Sequence, residues 1–202
     1  MPKLLLATTN SGKIAEYRYL FRGLLLELVT PVDEGVAVEV EEGHISMEEN
    51  AKHKALSYAR LSGLVTVADD SGIEVDALGG EPGIHSARYA GKGANDSDRI
   101  KYLLSKLKGI PREKRTARFR CVIAVATPKG ILEICEGECQ GLIALEAKGT
   151  NGFGYDPVFY VPEFDKTMAE LTLGVKNHIS HRARAALKAR RVLEQFADKV
   201  KT

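Results

Sequence analysis

Two adjacent aspartates follow a short apolar run, and this pattern constrains the fold more than any other feature of the chain. Residues 64–68 read Leu-Val-Thr-Val-Ala and lead directly into Asp69 and Asp70, with Ser71 and Gly72 behind them. A β-branched apolar run predicts a buried strand. We therefore expect the acids where that strand leaves an α/β sheet, which is where such sheets place their ligands.

The two carboxylates predict a cation nearby, because adjacent anions repel each other more strongly as the surrounding dielectric falls. Mg²⁺ is the natural choice, since it binds one or two carboxylates and completes its shell with water and phosphate oxygens. The alternative is a solvated Asp-Ser-Gly turn, which these residue types also favour. This segment alone leaves both interpretations open.

Length and charge narrow the class of protein. The 202 residues suffice for one large core or two small lobes, and a net charge of +2 is too small to predict a nucleic-acid partner. Cys121, Cys135 and Cys139 lack a paired CxxC pattern, which predicts reduced thiols and a cytoplasmic location. We find neither a signal peptide nor an apolar span of about 20 residues, so we expect no export and no membrane anchor.

Segments with strand and helix patterns alternate at first, and strand patterns cluster later. Together they predict one α/β domain over residues 1–202, with a mixed β-sheet and flanking helices forming two lobes around a central cleft. The second lobe is expected to centre on an antiparallel hairpin near residues 117–140. Further strands are predicted at residues 3–8 and 36–40, and helices after Lys13, after Ser46, over 100–107 and after Ser180. The glycine-rich residues 79–91 are predicted to form a mobile lid.

A small polar segment precedes the first predicted helix and is a candidate phosphate-binding loop. Its residues are Thr8, Thr9, Asn10, Ser11, Gly12 and Lys13. Backbone amides at a helix N-terminus attract phosphate, and the lysine adds a positive charge. Ala7 and Ile14 stand where a Walker A loop has glycine and a hydroxyl residue, so this is another type of loop. A plain helix cap is the alternative.

Two further segments carry residues suited to a nucleobase. Phe153, Gly154, Tyr155 and Asp156 place two aromatic rings beside glycines, which suits a planar base, although a turn with both rings in the core is the alternative. Lys176, His181 and Arg182 place positive charge at the start of the last predicted helix, where the helix dipole disfavours it. An anion or a base carbonyl would explain the cations there; otherwise this is a solvated basic helix start. His178 and His181 have no third soft ligand, so zinc is not expected.

With these motifs in order, the chain resembles the inosine/xanthosine triphosphate pyrophosphatase family, whose members hydrolyse non-canonical purine nucleoside triphosphates. The resemblance covers nearly the whole chain. Its segments are 8–13, Glu49-Asn50-Ala51, 68–72, 83–89, 153–157 and Ser180-His181-Arg182.

The resemblance implies an elongated two-lobed α/β fold, commonly a homodimer, that converts a triphosphate and water to the monophosphate and pyrophosphate with Mg²⁺. It implies that Asp70 is the proton acceptor and a metal ligand, Glu41 a second metal ligand, and Asp69 a supporting carboxylate. Phosphates would be held by the loop from Thr8 to Lys13 and by Ser71. The base and sugar would be surrounded by Phe153, Gly154, Tyr155, Asp156, Lys176, His181 and Arg182.

Other functions remain as alternatives. A nucleotide-binding sensor that does not cleave its ligand would gain little from acids placed beside phosphates. A single-stranded RNA module would use Arg118 and Arg120 with the rings of Phe153 and Tyr155, but the small net charge disfavours it. A pyrophosphatase for modified pyrimidine triphosphates would keep the phosphate and metal groups and change the base pocket.

Overall fold

The computed structural model describes residues 1–38, 40, 43 and 45–200, the last without its side chain. Its helices are α1 (Ser11–Leu20), α2 (Met47–Ser62), α3 (Asp96–Lys106), α4 (Leu173–Ile179) and α5 (His181–Val200). Its strands are β1 (Lys3–Leu6), β2 (Glu27–Val29), β3 (Val65–Val75), β4 (Thr116–Thr127), β5 (Gly130–Ile143), β6 (Phe159–Val161) and β7 (Lys166–Thr167). In this part of the chain the seven strands form one sheet in the order β2-β1-β3-β4-β5-β6-β7.

The sheet is mixed, which confirms the predicted α/β class. Strand β1 pairs in parallel with β2 and with β3, and such pairs need long crossovers of the kind that α1 and α2 provide here. Strands β5, β6 and β7 pair antiparallel in sequence order. Strands β4 and β5 are sheet neighbours joined by a two-residue turn at Pro128 and Lys129, as the hairpin prediction required. Across the described residues, no helix is both long enough and apolar enough to cross a membrane.

The chain divides into two compact units. The first comprises Met1–Asp70, Cys121–Gly137 and Arg182–Thr202, and the second comprises Ser71–Arg120 and Glu138–His181. The hairpin predicted at the centre of the second lobe contributes residues to both units, its tip belonging to the first. The central cleft stays a prediction.

The core of the first unit lies on one face of β1, β3 and β4, where alternate residues point to the same side. These side chains pack against α1 and α5. Small residues on α5, among them Ala185, Ala186 and Ala189, are fully covered and let the helix approach the sheet closely. Leu187 is 59% exposed, because it lies about 100° around the helix from Ala186.

The core of the second unit is formed by α3 with residues of β3, β4, β5 and β6. Ile73 and Val75 of β3 contact this cluster together with Leu103 and Leu107. The guanidinium of Arg115 is buried below it and donates to the carbonyl oxygens of Leu107, Ile110 and Ala144. Arg115 therefore links the turn that follows α3 to the end of β5.

One predicted strand is wrong. Residues 36–38 and 40 have no regular structure, and Val38 is 52% exposed with its carbonyl oxygen accepting a hydrogen bond from the Tyr58 hydroxyl. The strand beside β1 is instead β2, whose three residues were too few to give a periodic signal. The lid predicted at residues 79–91 stays a prediction. These residues include a 3₁₀ turn over Gly83–Arg88, in which the Ser86 hydroxyl accepts from the amide of Ile73 and donates to the carbonyl of Gly83.

Candidate active site

Asp69 and Asp70 lie in the middle of β3, not at its end as the sequence predicted. The strand continues to Val75 because Ile73 and Val75 are buried in the core of the second unit. The parallel partner β1 ends earlier, with Leu6 opposite Val67. Both acids therefore lie just beyond the carboxyl end of β1, which is the position where parallel sheets place ligands.

The carboxylate of Asp69 is surrounded by cations from the same unit. Its Oδ1 lies 2.9 Å from the Lys13 Nζ, and its Oδ2 lies 3.2 Å from the Arg182 Nε. Arg182 also pairs with Glu16, with 2.6 Å between its Nη1 and the Glu16 Oε2. The four side chains form a buried row of alternating charge, which we call the Asp69 network.

The Asp69 network keeps Asp69 ionised. Burial of the carboxyl raises its pKa, but the Lys13 and Arg182 cations outweigh burial and hold that pKa well below its usual range. A carboxylate with so low a pKa is a poor proton acceptor, so Asp69 anchors the two cations. The cation that we expected to offset the paired acids is thus supplied, for Asp69, by the protein itself.

Asp70 points to the opposite face of β3, since successive residues of a strand alternate. Its Oδ2 accepts a hydrogen bond of 2.8 Å from the Asn50 Nδ2 on α2, and both residues are buried. The two acids therefore have separate surroundings, although they are neighbours in sequence. Since the low pKa of Asp69 makes it a poor proton acceptor, Asp70 remains the candidate for that role.

The donor set around Asp70 fits a hard divalent ion. Mg²⁺ binds to proteins through one or two carboxylates and keeps water and phosphate oxygens in its other positions. Among the described residues, no three His, Cys, Asp or Glu side chains lie together as a metal site. Glu41, the second predicted ligand, lies outside the described residues.

The predicted phosphate loop opens α1. Asn10 is the N-cap of this helix, with its Oδ1 accepting from the Lys13 amide at 3.0 Å. Thr9, Asn10 and Ser11 are exposed, so the first turn of α1 can approach a ligand. Asn10 can cap α1 while the loop binds phosphate, because the cap satisfies only the Lys13 amide and leaves the exposed side of the first turn open.

In the second unit, Asp156 organises the predicted base loop. Its Oδ2 accepts from the Phe153 amide at 2.9 Å and forms a buried ion pair with the Lys176 Nζ. The Lys176 Nζ also lies 4.8 Å from the centre of the Phe153 ring, within cation-π distance. The cations that seemed misplaced in sequence are thus paired internally, Lys176 with Asp156 and Arg182 with Glu16 and Asp69. Lys176 lies in α4, a short helix that the sequence prediction had merged with α5.

Gly152 is required beside this ion pair. Its φ is 78°, and a Cβ there would lie 2.1 Å from the Asp156 Oδ2 and 3.0 Å from the Lys176 Nζ. We expect Gly152→Ala to lower the free energy of unfolding by about 3 kcal/mol or more, through backbone strain plus the clash. Urea unfolding followed by circular dichroism measures this.

The matched control is Gly93→Ala, where φ is 81° and the described residues leave open space around a Cβ. It carries the backbone strain alone and should cost about 1–2 kcal/mol. Equal losses in the two variants would show that the Asp156–Lys176 pair tolerates a side chain at position 152.

The remaining predicted residues fall in different surroundings. Tyr155 lies in the core of the second unit, with its hydroxyl donating to the Ser86 carbonyl, so the structural alternative holds for this ring. Phe153 keeps part of its ring exposed, and Gly154 and Ser71 are also partly exposed. His181 is buried and stacks on Phe119, with 4.7 Å between the ring centres and 14° between the planes.

Three residues that contact predicted site residues were themselves missing from the prediction. Glu16 lies one helical turn after Lys13, and this spacing could have indicated a shared face of α1. Asn50 belongs to the Glu49-Asn50-Ala51 motif, but the motif gives no sign that its amide faces Asp70. Asp96 accepts a hydrogen bond from the Gly154 amide over 58 residues, and no local pattern could have revealed a contact so distant in sequence.

Comparison with known proteins identifies the family. A model of the Ham1 family matches residues 4–192. The chain belongs to the Ham1 family. A Ham1-family relative from Desulforamulus reducens, named dITP/XTP pyrophosphatase, is 48% identical over 194 residues that cover 96% of each chain. One from Bacillus subtilis with the same name is 45% identical over 96% of this chain and 98% of its own. The resemblance drawn from the motifs is confirmed.

Solved Ham1 structures share the fold. A HAM1 protein from Coxiella burnetii superposes with a TM-score of 0.87 at 42% identity, covering 96% of this chain and all of its own. The Staphylococcus aureus Ham1 protein gives a TM-score of 0.84 at 40% identity, over 96% and 98% of the two chains. The α/β architecture described above is therefore the architecture of the Ham1 family.

Proposed function

We propose that this protein hydrolyses inosine, deoxyinosine and xanthosine triphosphates to the nucleoside monophosphate and pyrophosphate. The observation that carries the proposal is the 48% identity to a dITP/XTP pyrophosphatase over 96% of both chains. The Asp69 network and the neighbouring Asp70 support it, because Asp69 holds a lysine in the first turn of α1 and a second buried carboxylate follows directly in sequence. A protein with this activity acts on the free nucleotide pool of the cytoplasm.

The phosphates bind at the start of α1. The Lys13 ammonium, 15% exposed, is fixed by Asp69 and faces the triphosphate, and the loop from Thr8 to Gly12 and Ser71 supply amides and hydroxyls. Because the ammonium is already held in place, little rotamer entropy is lost when a phosphate arrives. Its charge offsets the negative charge that grows on pyrophosphate as the bond between the α and β phosphates breaks.

Asp70 accepts the proton of the attacking water. Its oxygen is oriented by the Asn50 amide, so the carboxylate is held ready for one water position. A resident Mg²⁺ fits the donors, and we propose that Asp70 and Glu41 hold it. When bound, Mg²⁺ would supply charge neutralisation at the phosphates and lower the pKa of water.

The base lies near Phe153, and selectivity depends on hydrogen bonds. Hypoxanthine and xanthine carry an oxygen at C6, where adenine carries an amino group. Donors from His181 and from backbone amides of the second unit favour the oxygen, and adenine would leave them unpaired, which costs orders of magnitude in rate. Gly154, Tyr155, Asp156 and Lys176 shape this pocket by holding the loop around Phe153.

A substrate panel tests the function. We expect pyrophosphate release from ITP, dITP and XTP with Mg²⁺ and at least about a hundredfold slower release from ATP, GTP, CTP and UTP. EDTA should abolish release, and Mg²⁺ should restore it. Faster release from a modified pyrimidine triphosphate than from ITP would support the alternative pyrophosphatase. Tight ITP binding without pyrophosphate would support a sensor.

We further propose that the protein is a homodimer, as the family resemblance implies. Light scattering coupled to size-exclusion chromatography measures the mass directly. A mass equal to one chain at micromolar concentration would contradict the dimer and leave the proposed reaction untouched.

A further inference from the structure

The base loop is held at its centre by a carboxylate from a distant helix. The amide of Gly154 donates to the Asp96 Oδ2 at 2.7 Å. Asp96 is the first residue of α3 and belongs to the same compact unit as the loop. A bond from an amide to a carboxylate is charge-assisted and therefore stronger than a bond between neutral groups.

The other oxygen of Asp96 is fixed in turn. It pairs with the Arg99 Nη2, and the Arg99 Nη1 donates to the carbonyl oxygens of Ala87 at 2.9 Å and Ala94 at 2.6 Å. Arg99 therefore orients the carboxylate and joins it to the Gly83–Arg88 turn and to the segment that follows it. The position of Asp96 is set by the protein before any ligand binds.

Packing does not hold the loop at Gly154. Gly154 has a φ of 62°, and among the described residues nothing would contact a Cβ there within 4 Å. Its neighbour Phe153 is only partly buried, while Tyr155 is anchored in the core. The Asp96 hydrogen bond thus acts on the residue between the buried Tyr155 ring and the partly exposed Phe153.

We propose that Asp96 is a positioning residue for the purine base. It holds the Gly154 amide and thereby fixes the Phe153 ring in the orientation that receives the base. The proposal rests on the proposed function, since it assigns the Phe153 ring to the nucleobase. Asp96 acts through the loop and does not touch the substrate.

The test measures KM and kcat for ITP with Mg²⁺. We expect Asp96→Ala to raise KM about tenfold and to leave kcat within about threefold, because ground-state binding of the base is lost and the phosphate chemistry is not. Asp96→Asn keeps an oxygen that can accept from Gly154 and should stay within about threefold of wild type in KM. Asp98→Ala, which removes a capping carboxylate from the same turn of α3, should leave KM within about twofold.

A double-mutant cycle with Phe153→Ala links the effect to the ring. If Asp96 acts through Phe153, Asp96→Ala adds less than about twofold to KM in the Phe153→Ala background. Should Asp96→Ala fail to fold, Asp96→Glu replaces it, because it keeps the charge at the start of α3 and displaces the carboxylate from Gly154.

Three results would overturn the proposal: an unchanged KM in Asp96→Ala, equal damage in Asp96→Asn and Asp96→Ala, or full additivity with Phe153→Ala. Wild-type protein that releases no pyrophosphate from ITP would instead refute the proposed function. The two failures are therefore distinguishable.

Discussion

Asp70→Asn is expected to reduce pyrophosphate release from ITP at least about a thousandfold, while the fold survives. An amide cannot accept the proton of the attacking water, and general-base catalysis alone contributes about 10²–10⁴-fold. The amide also binds a divalent ion more weakly than a carboxylate does. The fold survives because the amide oxygen can still accept from Asn50, the contact that the carboxylate makes in the wild type.

Steady-state rates with saturating ITP and Mg²⁺ measure this loss, and circular dichroism melting checks the fold. Asp98→Asn is the matched control, since it removes one negative charge from an exposed residue of α3 and should keep full activity. Near-normal turnover in a folded Asp70→Asn protein would remove Asp70 from the proposed mechanism.

Asp69→Asn is expected to act on stability, with a loss of about 3–5 kcal/mol in the free energy of unfolding. The substitution leaves Lys13 and Arg182 beside a neutral amide, and Arg182 is 2% exposed, so water cannot replace the lost charge. The amide also turns a donor toward one of the two cations. Urea unfolding at pH 7 gives the difference directly.

A surface ion pair provides the control. Lys3 and Glu34 are 2.7 Å apart, and their side chains are 42% and 20% exposed. Glu34→Gln should cost less than about 1 kcal/mol, because exposed pairs are well solvated in both states. Similar losses in Asp69→Asn and Glu34→Gln would mean that burial does not strengthen the Asp69 network.

The stability difference at Asp69 should depend on pH in one direction. The pKa of Asp69 is lower in the folded chain than its ordinary value of 3.8, so its ionised form favours the folded state. This contribution is complete well above pH 3.8 and is lost as the pH falls below it. The gap between wild type and Asp69→Asn should therefore be constant from pH 6 to 8 and narrow on acidification.

Local sequence patterns predicted the elements but not the contacts between them. The apolar run before Asp69 indicated a buried strand, and Ser46 caps α2 as expected, because both depend on neighbours in sequence. The prediction of a strand at residues 36–40 was wrong, since an apolar run forms a strand only where a partner strand is available. The orientation of Arg182 toward Glu16, 166 residues away, depends on packing that no local pattern contains.

Residue types predicted the chemistry of the site better than its geometry. The two acids, Lys13 and the cations before α5 were predicted to bind a metal ion and a nucleotide, and the structure pairs Asp69 with Lys13 and Arg182. The partners were different from those expected: the cations near the start of α5 neutralise acids of the protein itself. The number of charged residues in a segment cannot show whether they pair with each other or bind a ligand, since both cases require the same charges.

Successive side chains of β3 point to opposite faces, so the neighbours Asp69 and Asp70 have different partners. Asp69 serves the scaffold on one face of the strand, and Asp70 is available for chemistry on the other. Variants at Asn50 on α2 therefore change the hydrogen bond to Asp70 and leave the ion pairs of Asp69 with Lys13 and Arg182 in place. A protein engineer thus has one side of this strand to redesign and one side to leave alone.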